Sequence, residues 1–170
     1  MTEIREIARR AHAGQVDRAG RDYFDAHLIP IAEAASLFGW DAEAAGWLHD
    51  VIEDTKVTLP QLSRWGVRDT VVGAIDSVTR RSDESYDELI TRAAAHPLGR
   101  LVKLADNAWN ITSNPGLAAI DPGKAASLLE ERYFPARERL LSAAGFTETS
   151  DEILRLQHIL DRHHQRLLLE

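Results

Sequence analysis

The stretch Gly39-Trp-Asp-Ala-Glu-Ala-Ala-Gly-Trp-Leu-His-Asp-Val-Ile-Glu-Asp-Thr55 sets His49, Asp50, Glu53 and Asp54 within six residues. Its alanines, Leu48, Val51 and Ile52 suit a helix, and Asp41 is a candidate N-cap, so the spacing predicts one helix from Asp41 to Asp54. On such a helix His49 lies one turn from Glu53 and Asp50 one turn from Asp54, so the four share a face. Three carboxylates gathered on one face repel one another unless a cation sits among them, and a cation needs further ligands from elsewhere. An acidic, solvated helix end also accounts for Glu53 and Asp54, although acids at a helix C-terminus oppose its dipole. The stretch alone leaves structure and chemistry open, and the rest of the chain decides between them.

The chain has 170 residues, 44% of them hydrophobic and 28% charged, which suits one domain able to bury a core. Without cysteine, neither a disulfide frame nor a thiolate metal site can form, and any metal must use His, Asp or Glu. The amino terminus Met1-Thr-Glu-Ile-Arg-Glu6 lacks an apolar signal core and no segment approaches membrane-spanning length, so a cytoplasmic protein with no membrane partner is expected. A net charge of −7 argues against nucleic acid as a partner. It leaves room for a phosphorylated small molecule, because a local cluster of Lys and Arg beside a metal can reverse the field inside one cleft.

The remaining pattern predicts an all-α protein of about nine helices, with no strand. Helices are expected at 2–13, at 23–38 with Asp22 as cap, and at 41–54. Thr58-Leu-Pro-Gln61 and Ser85-Tyr-Asp-Glu88 have the form of capping boxes, and Asp69 is a candidate cap for a helix to Val78. Leu98 to Thr112 reads as a buried helix carrying Asp106, and Asn114-Pro-Gly116 as a turn. Asp121-Pro122 opens a long helix to Ala144, with a kink or break at Pro135. The expected division is a domain over 1–145 and a C-terminal helix over 146–170, which packs on that domain or on a second copy as a homodimer. Its His158, His163 and His164 read as surface residues.

Other stretches supply what the central one lacks. His27 sits in an apolar helix, where a satisfied core histidine is the commoner finding. Asp106 stands in Val102-Lys-Leu-Ala-Asp-Asn-Ala-Trp-Asn110, too apolar a helix to bury a carboxylate unpaired. Ala11-His-Ala-Gly-Gln15 with Gly20 and Tyr23, then His27, then His49-Asp-Val-Ile-Glu-Asp-Thr55, then Lys103-Leu-Ala-Asp106 with Asn110, resemble in order the motifs of the HD-domain phosphohydrolases. The closer likeness is to the hydrolase domain of the RelA/SpoT-type guanosine tetra- and pentaphosphate enzymes, and it covers roughly residues 5–112.

That resemblance implies an all-α HD-domain helical bundle. It also implies that His27, His49, Asp50 and Asp106 hold one divalent ion, commonly manganese, with Glu53 and Asp54 handling water as a catalytic pair. Mixed imidazole and carboxylate ligands suit Mn²⁺, Fe²⁺ or Zn²⁺. Phosphates call for further cations or donors, for which Arg18, Lys103 and Asn110 are the substrate-binding candidates, with Lys56, Arg80, Arg81 and Lys124 behind them. Tyr86 and Tyr133 could stack on a base.

The chain departs from the family at the substrate wall. Asp17 stands where a basic residue precedes the loop glycine, Arg18 follows it, one extra residue separates Tyr23 from His27, and Leu28 replaces a proline. The segment Ser82 to Glu88 is acidic where the family is basic. The expected function is a stand-alone phosphohydrolase similar to the small alarmone hydrolases, with guanosine 3′,5′-bis(diphosphate) 3′-pyrophosphohydrolase the leading activity. Hydrolysis of another nucleotide, or a non-catalytic nucleotide-binding or antitoxin-like module, are the alternatives.

Overall fold

The computed structural model describes residues 1–169. Twelve α-helices run through the described residues: α1 (Thr2–Ala11), α2 (Ile29–Ala35), α3 (Trp40–Leu48), α4 (Val51–Asp54), α5 (Leu59–Arg64), α6 (Asp69–Val78), α7 (Tyr86–Ala95), α8 (Gly99–Thr112), α9 (Asn114–Ala118), α10 (Pro122–Leu128), α11 (Phe134–Ala144) and α12 (Asp151–Leu167). No strand forms among them, and Val16 and Asp22 make an isolated antiparallel bridge across the loop after α1. No helix is long and apolar enough to cross a membrane.

The centre of the bundle is α8, whose Val102, Leu104, Ala105, Ala108 and Trp109 are buried. Helices α2, α3, α6, α7, α11 and α12 pack around it. A helix covered on so many sides must be apolar around most of its circumference, as this one is, and Asp106 and Asn107 are then the exceptions that need partners. Leu156, Leu160 and Leu167 of α12 join the same apolar cluster as Ala26, Ile31 and Trp109. Arg162 and His163 bind Glu33, 3.0 and 2.7 Å away.

Several expectations about the elements need correction. The single helix over 41–54 is two, α3 and α4, with the His49-Asp50 pair at the break. Asp50 takes φ −99° and ψ −2°, the sparsely populated bridge region favoured by active-site residues. Gly39, at φ 103°, precedes α3 in place of an Asp41 cap, and the Asp41 carboxylate binds Arg68 and Thr70 instead. Asp69 lies inside α6, preceded by Arg68. Asn114-Pro-Gly116 is helical as part of α9, since Pro115 fits a first turn. His163 is buried, against the expectation of a surface residue, because Glu33 of α2 gives its ring a partner. The capping boxes at Thr58 and Ser85 and the Asp121 cap are present.

The expected helix over 23–38 begins with a π-helical turn, Phe24–Leu28, continues as α2, and ends in a 3₁₀ turn, Ser36–Phe38. Bonds from i to i+5 take up one residue more than an α turn. A second π turn, Leu129–Tyr133, lies just before Pro135, where a break was expected.

Gly46 sets how close the two histidine-bearing elements come. A Cβ built on it would meet Ala32 Cα at 2.9 Å and Ala35 Cβ at 3.2 Å. Gly46→Ala is therefore expected to force α2 and α3 apart. Overpacking of a tight interface costs about 1–3 kcal/mol, less up to about 1 kcal/mol of gained helix propensity. A urea midpoint at or above wild type would show that the contact yields freely.

Candidate metal centre and active site

At the break between α3 and α4 the chain presents His49 and Asp50 to the π turn that carries His27. His49 Nδ1 lies 2.8 Å from the Gly46 carbonyl oxygen, which only accepts, so Nδ1 is the donor and Nε2 is left for another partner. His49 Nε2 is buried and makes no hydrogen bond. It lies 2.9 Å from Asp50 Oδ2, without the alignment of a hydrogen bond, and His27 Nε2 lies 3.2 Å from the same oxygen. One donor atom from each of His27, His49 and Asp50 falls within 4.8 Å of the others.

Two imidazole nitrogens facing one buried carboxylate oxygen call for a positive charge among them. A cation or a proton satisfies that arrangement. The pattern of a histidine donating its second nitrogen to a backbone carbonyl is that of a metal ligand, and the donor set fits a divalent ion. Without a cation the corner holds protons instead. Burial lowers the His49 pKa, but Asp50 and Asp106 outweigh it and raise it to about 9. Burial alone would raise Asp50, yet His49 and His27 hold it well below the usual carboxylate range.

Asp106 approaches from α8, its Oδ1 3.8 Å from His27 Nε2 and 4.0 Å from His49 Nε2. Its oxygens are also engaged by Lys103 Nζ at 2.7 Å and Asn110 Nδ2 at 2.6 Å. Burial disfavours both charges of the Lys103 and Asp106 pair, but each stabilises the other, so the Lys103 pKa is raised and that of Asp106 lowered. Lys103 and Asn110, expected at the substrate, thus bind Asp106 while still lining the cavity. Tyr23 completes the corner: its ring stacks on His27 at 4.7 Å and its hydroxyl donates to Asp50 at 2.5 Å.

Glu53 and Asp54 follow on α4 and are each held by a residue far away in sequence. Glu53 Oε2 accepts from the Arg80 backbone N–H at 3.0 Å, and Asp54 Oδ2 from Gln15 Nε2 at 3.3 Å. Burial, and then the Asp50 charge, raise the Asp54 pKa. His12, buried beside this group, has its pKa lowered by that burial. The Arg80 loop is tied down by Arg92, which binds the Glu84 carboxylate at 2.7 and 2.5 Å and the carbonyls of Asp76 and Thr79 at 2.6 and 2.7 Å.

Hydrogen bonding to Arg92 lowers Glu84 to about 2 in the folded chain. A depressed carboxylate pKa contributes stability that is present above the unfolded value of about 4.3 and is lost as pH falls toward 2. Arg92→Ala should remove that part of the acid dependence of the melting temperature. Parallel acid profiles for variant and wild type would exclude the clamp.

A cavity of about 320 Å³ opens on His27, Asp50, Glu53, Asp54 and Asp106, and Arg18, Arg21, Arg80 and Arg132 line it too, with Tyr86 and Tyr133. Arg18 donates to the Tyr133 hydroxyl at 3.2 Å, and the Arg132 guanidinium lies 5.5 Å from the centre of the Tyr86 ring. Lys56, Arg81 and Lys124 do not line it. Sequence reasoning missed Arg21 and Arg132. Asp17, in the place of a basic residue, accepts from the Ala19 and Arg21 backbone N–H groups and binds the Arg21 side chain, closing the glycine loop. Nothing in the local sequence of Arg132 marks it, because the second π turn and the packing of α11 bring it to the cavity.

An all-α bundle in which a His-Asp pair at a helix break meets a second helical histidine beside a polar cavity is similar in architecture to the hydrolase domain of the RelA/SpoT-type proteins. The particular proteins it is similar to agree. It is 29% identical over 175 residues to the guanosine-3′,5′-bis(diphosphate) 3′-pyrophosphohydrolase of Borreliella burgdorferi, covering 95% of this chain and 26% of the relative. It is 30% identical over 151 residues to the enzyme of the same name from Haemophilus influenzae, covering 79% and 21%. A probable GTP pyrophosphokinase of Mycobacterium leprae is 29% identical over 164 residues, 90% and 21%. The chain thus spans about a fifth to a quarter of these relatives. A solved metazoan SpoT orthologue, described as hydrolysing ppGpp, superposes with a TM-score of 0.63 at 22% identity, over 99% of this chain and 96% of that one, which establishes the fold. No family model matches.

Proposed function

We propose that the chain is a metal-dependent phosphohydrolase that cleaves the 3′-pyrophosphate from guanosine 3′,5′-bis(diphosphate). The observation that carries this reading is the convergence of His27, His49 and Asp50 around a buried, unpartnered Nε2, beside a cavity that arginines also line. The names of the relatives and the neighbour supply the substrate.

His27, His49 and Asp50 would hold the ion, with Asp106 as the fourth ligand. Manganese ranks first by family resemblance, with iron and zinc compatible with the same donors. A divalent cation there supplies Lewis acidity, lowering the pKa of water and offsetting charge on phosphate oxygens. The residues do the rest. Asp54, made more basic by burial and by Asp50, accepts the proton as water adds to the phosphorus next to the ribose 3′-oxygen. The bond from phosphorus to that oxygen breaks, the oxygen takes up a proton, and guanosine 5′-diphosphate and pyrophosphate leave. Glu53, fixed by the Arg80 N–H, orients the water. Arg18, Arg80 and Arg132 offset the remaining phosphate charge, and Tyr86 offers a ring to the base.

Purified protein with Mn²⁺ is expected to release pyrophosphate from guanosine tetraphosphate. Release of phosphate from a different nucleotide in a panel, with none from this one, would transfer the reading to that substrate. Tight binding of the nucleotide without turnover would make the chain a binding module.

A further inference from the structure

The mechanism above leaves His12 unused, although it is 2% exposed and its ring faces the acid pair through one side chain. His12 caps the end of α1, the chain turns at Gly14 with φ +78°, and the Gln15 N–H returns to the His12 carbonyl at 3.0 Å. The Gln15 carbonyl accepts from the Tyr23 N–H at 2.9 Å, which ties this turn to the start of the π segment bearing His27. Tyr23 then lies stacked between the rings of His12, at 5.3 Å, and His27, at 4.7 Å.

We infer that His12 and Gln15 form a hydrogen-bonded relay of positioning residues that fixes the carboxylate of Asp54 at the acid pair. The direction of each bond follows from elementary donor counting. Ionised Asp54 only accepts, so the Gln15 amide nitrogen faces it at 3.3 Å. That turns Gln15 Oε1 toward His12 Nδ1, 2.6 Å away. An amide oxygen only accepts, so Nδ1 carries the hydrogen. His12 Nε2 is then a bare lone pair, and it is buried with no partner. A second ring hydrogen would be stranded there, so the neutral tautomer protonated at Nδ1 is the one the surroundings accept. His12 is not among the convergent metal donors. With Oδ2 held by Gln15, Asp54 Oδ1 accepts no hydrogen bond among the described residues and is left for water. A carboxylate on a four-residue helix, otherwise free to rotate, is thereby held in one orientation.

The relay rests on the hydrolytic reading for its purpose, but not for its geometry, and two measurements separate them. In turnover of guanosine tetraphosphate with Mn²⁺, His12→Leu and Gln15→Leu are expected to lower kcat by about 10–100-fold, the range for groups that orient a reacting or ligating side chain, with KM and bound Mn²⁺ per chain unchanged. His12→Asn, whose amide N–H can replace Nδ1–H, should recover most of the rate. If His12→Asn falls as far as His12→Leu, or if KM rises while kcat holds, or if metal is lost, the relay is overturned and His12 is a packing residue. The second measurement is the ¹⁵N spectrum of His12 in the folded wild-type chain, where Nδ1 protonated and Nε2 bare is expected. A hydrogen on Nε2 overturns the relay whether or not any nucleotide turns over. Absence of turnover by the wild type, with the Nδ1 tautomer present, would instead count against the hydrolytic reading.

Discussion

Replacing Asp50 by Asn is expected to abolish cation binding and to lower turnover of guanosine tetraphosphate by about 10³-fold or more. The size follows from the several kcal/mol that a divalent ion contributes to a phosphoryl-transfer barrier, each 1.36 kcal/mol being tenfold in rate. Asp50 Oδ2 is the oxygen both imidazole nitrogens face, at 3.2 and 2.9 Å, so an amide there presents a partial charge, or an N–H, where a full negative charge stood. The same change has a signature free of turnover. Ion held at about 100-fold over its dissociation constant stabilises the folded chain by about 2.7 kcal/mol, which for a chain of this size raises the melting temperature by about 5–11 °C. Chelator should remove that increment from the wild type and do nothing to Asp50→Asn. A chelator-insensitive wild type would exclude a tightly held ion at this corner.

The second large effect is expected from Glu53→Gln combined with Asp54→Asn. Both substitutions keep shape and a carbonyl acceptor while removing the proton-accepting charge, so turnover should fall by about 10²–10⁴-fold with metal content unchanged. The single variants are not expected to sum to the double, since residues acting on one water act as a unit. Retention of activity within tenfold of wild type would remove both residues from the chemistry, and loss of metal would make them ligands rather than acids handling water.

The sequence fell short of this site at identifiable points. The reading of 39–55 put four side chains on one helical face, but the helix breaks at His49 and Asp50. The break turns those two toward His27, and α4 carries Glu53 and Asp54 along the cavity wall. Lys103 and Asn110, matched to a motif as substrate candidates, line the cavity, and what the motif did not reveal is that they also hold Asp106 from three residues before and four residues after it on one helix. Arg21 and Arg132 had no local signal, as an arginine in a loop or after a helical turn reads as a solvated surface residue.

What the order of residues determined by itself was the helical class, the capping boxes at Thr58 and Ser85, the buried helix around Asp106 and the identity of the chemically capable side chains. These depend on interactions within one turn, on period and on residue type, all of which are properties of neighbours along the chain. What only tertiary structure decided was which donors meet. The contact of α2 with α3 at Gly46, the π turn that carries His27, and the packing of α8 through the middle of the bundle bring His27, His49, Asp50 and Asp106 to one corner. A metal-binding geometry depends on distances between elements far apart in sequence, and those distances are fixed by side-chain volumes at helix crossings, which no local pattern encodes.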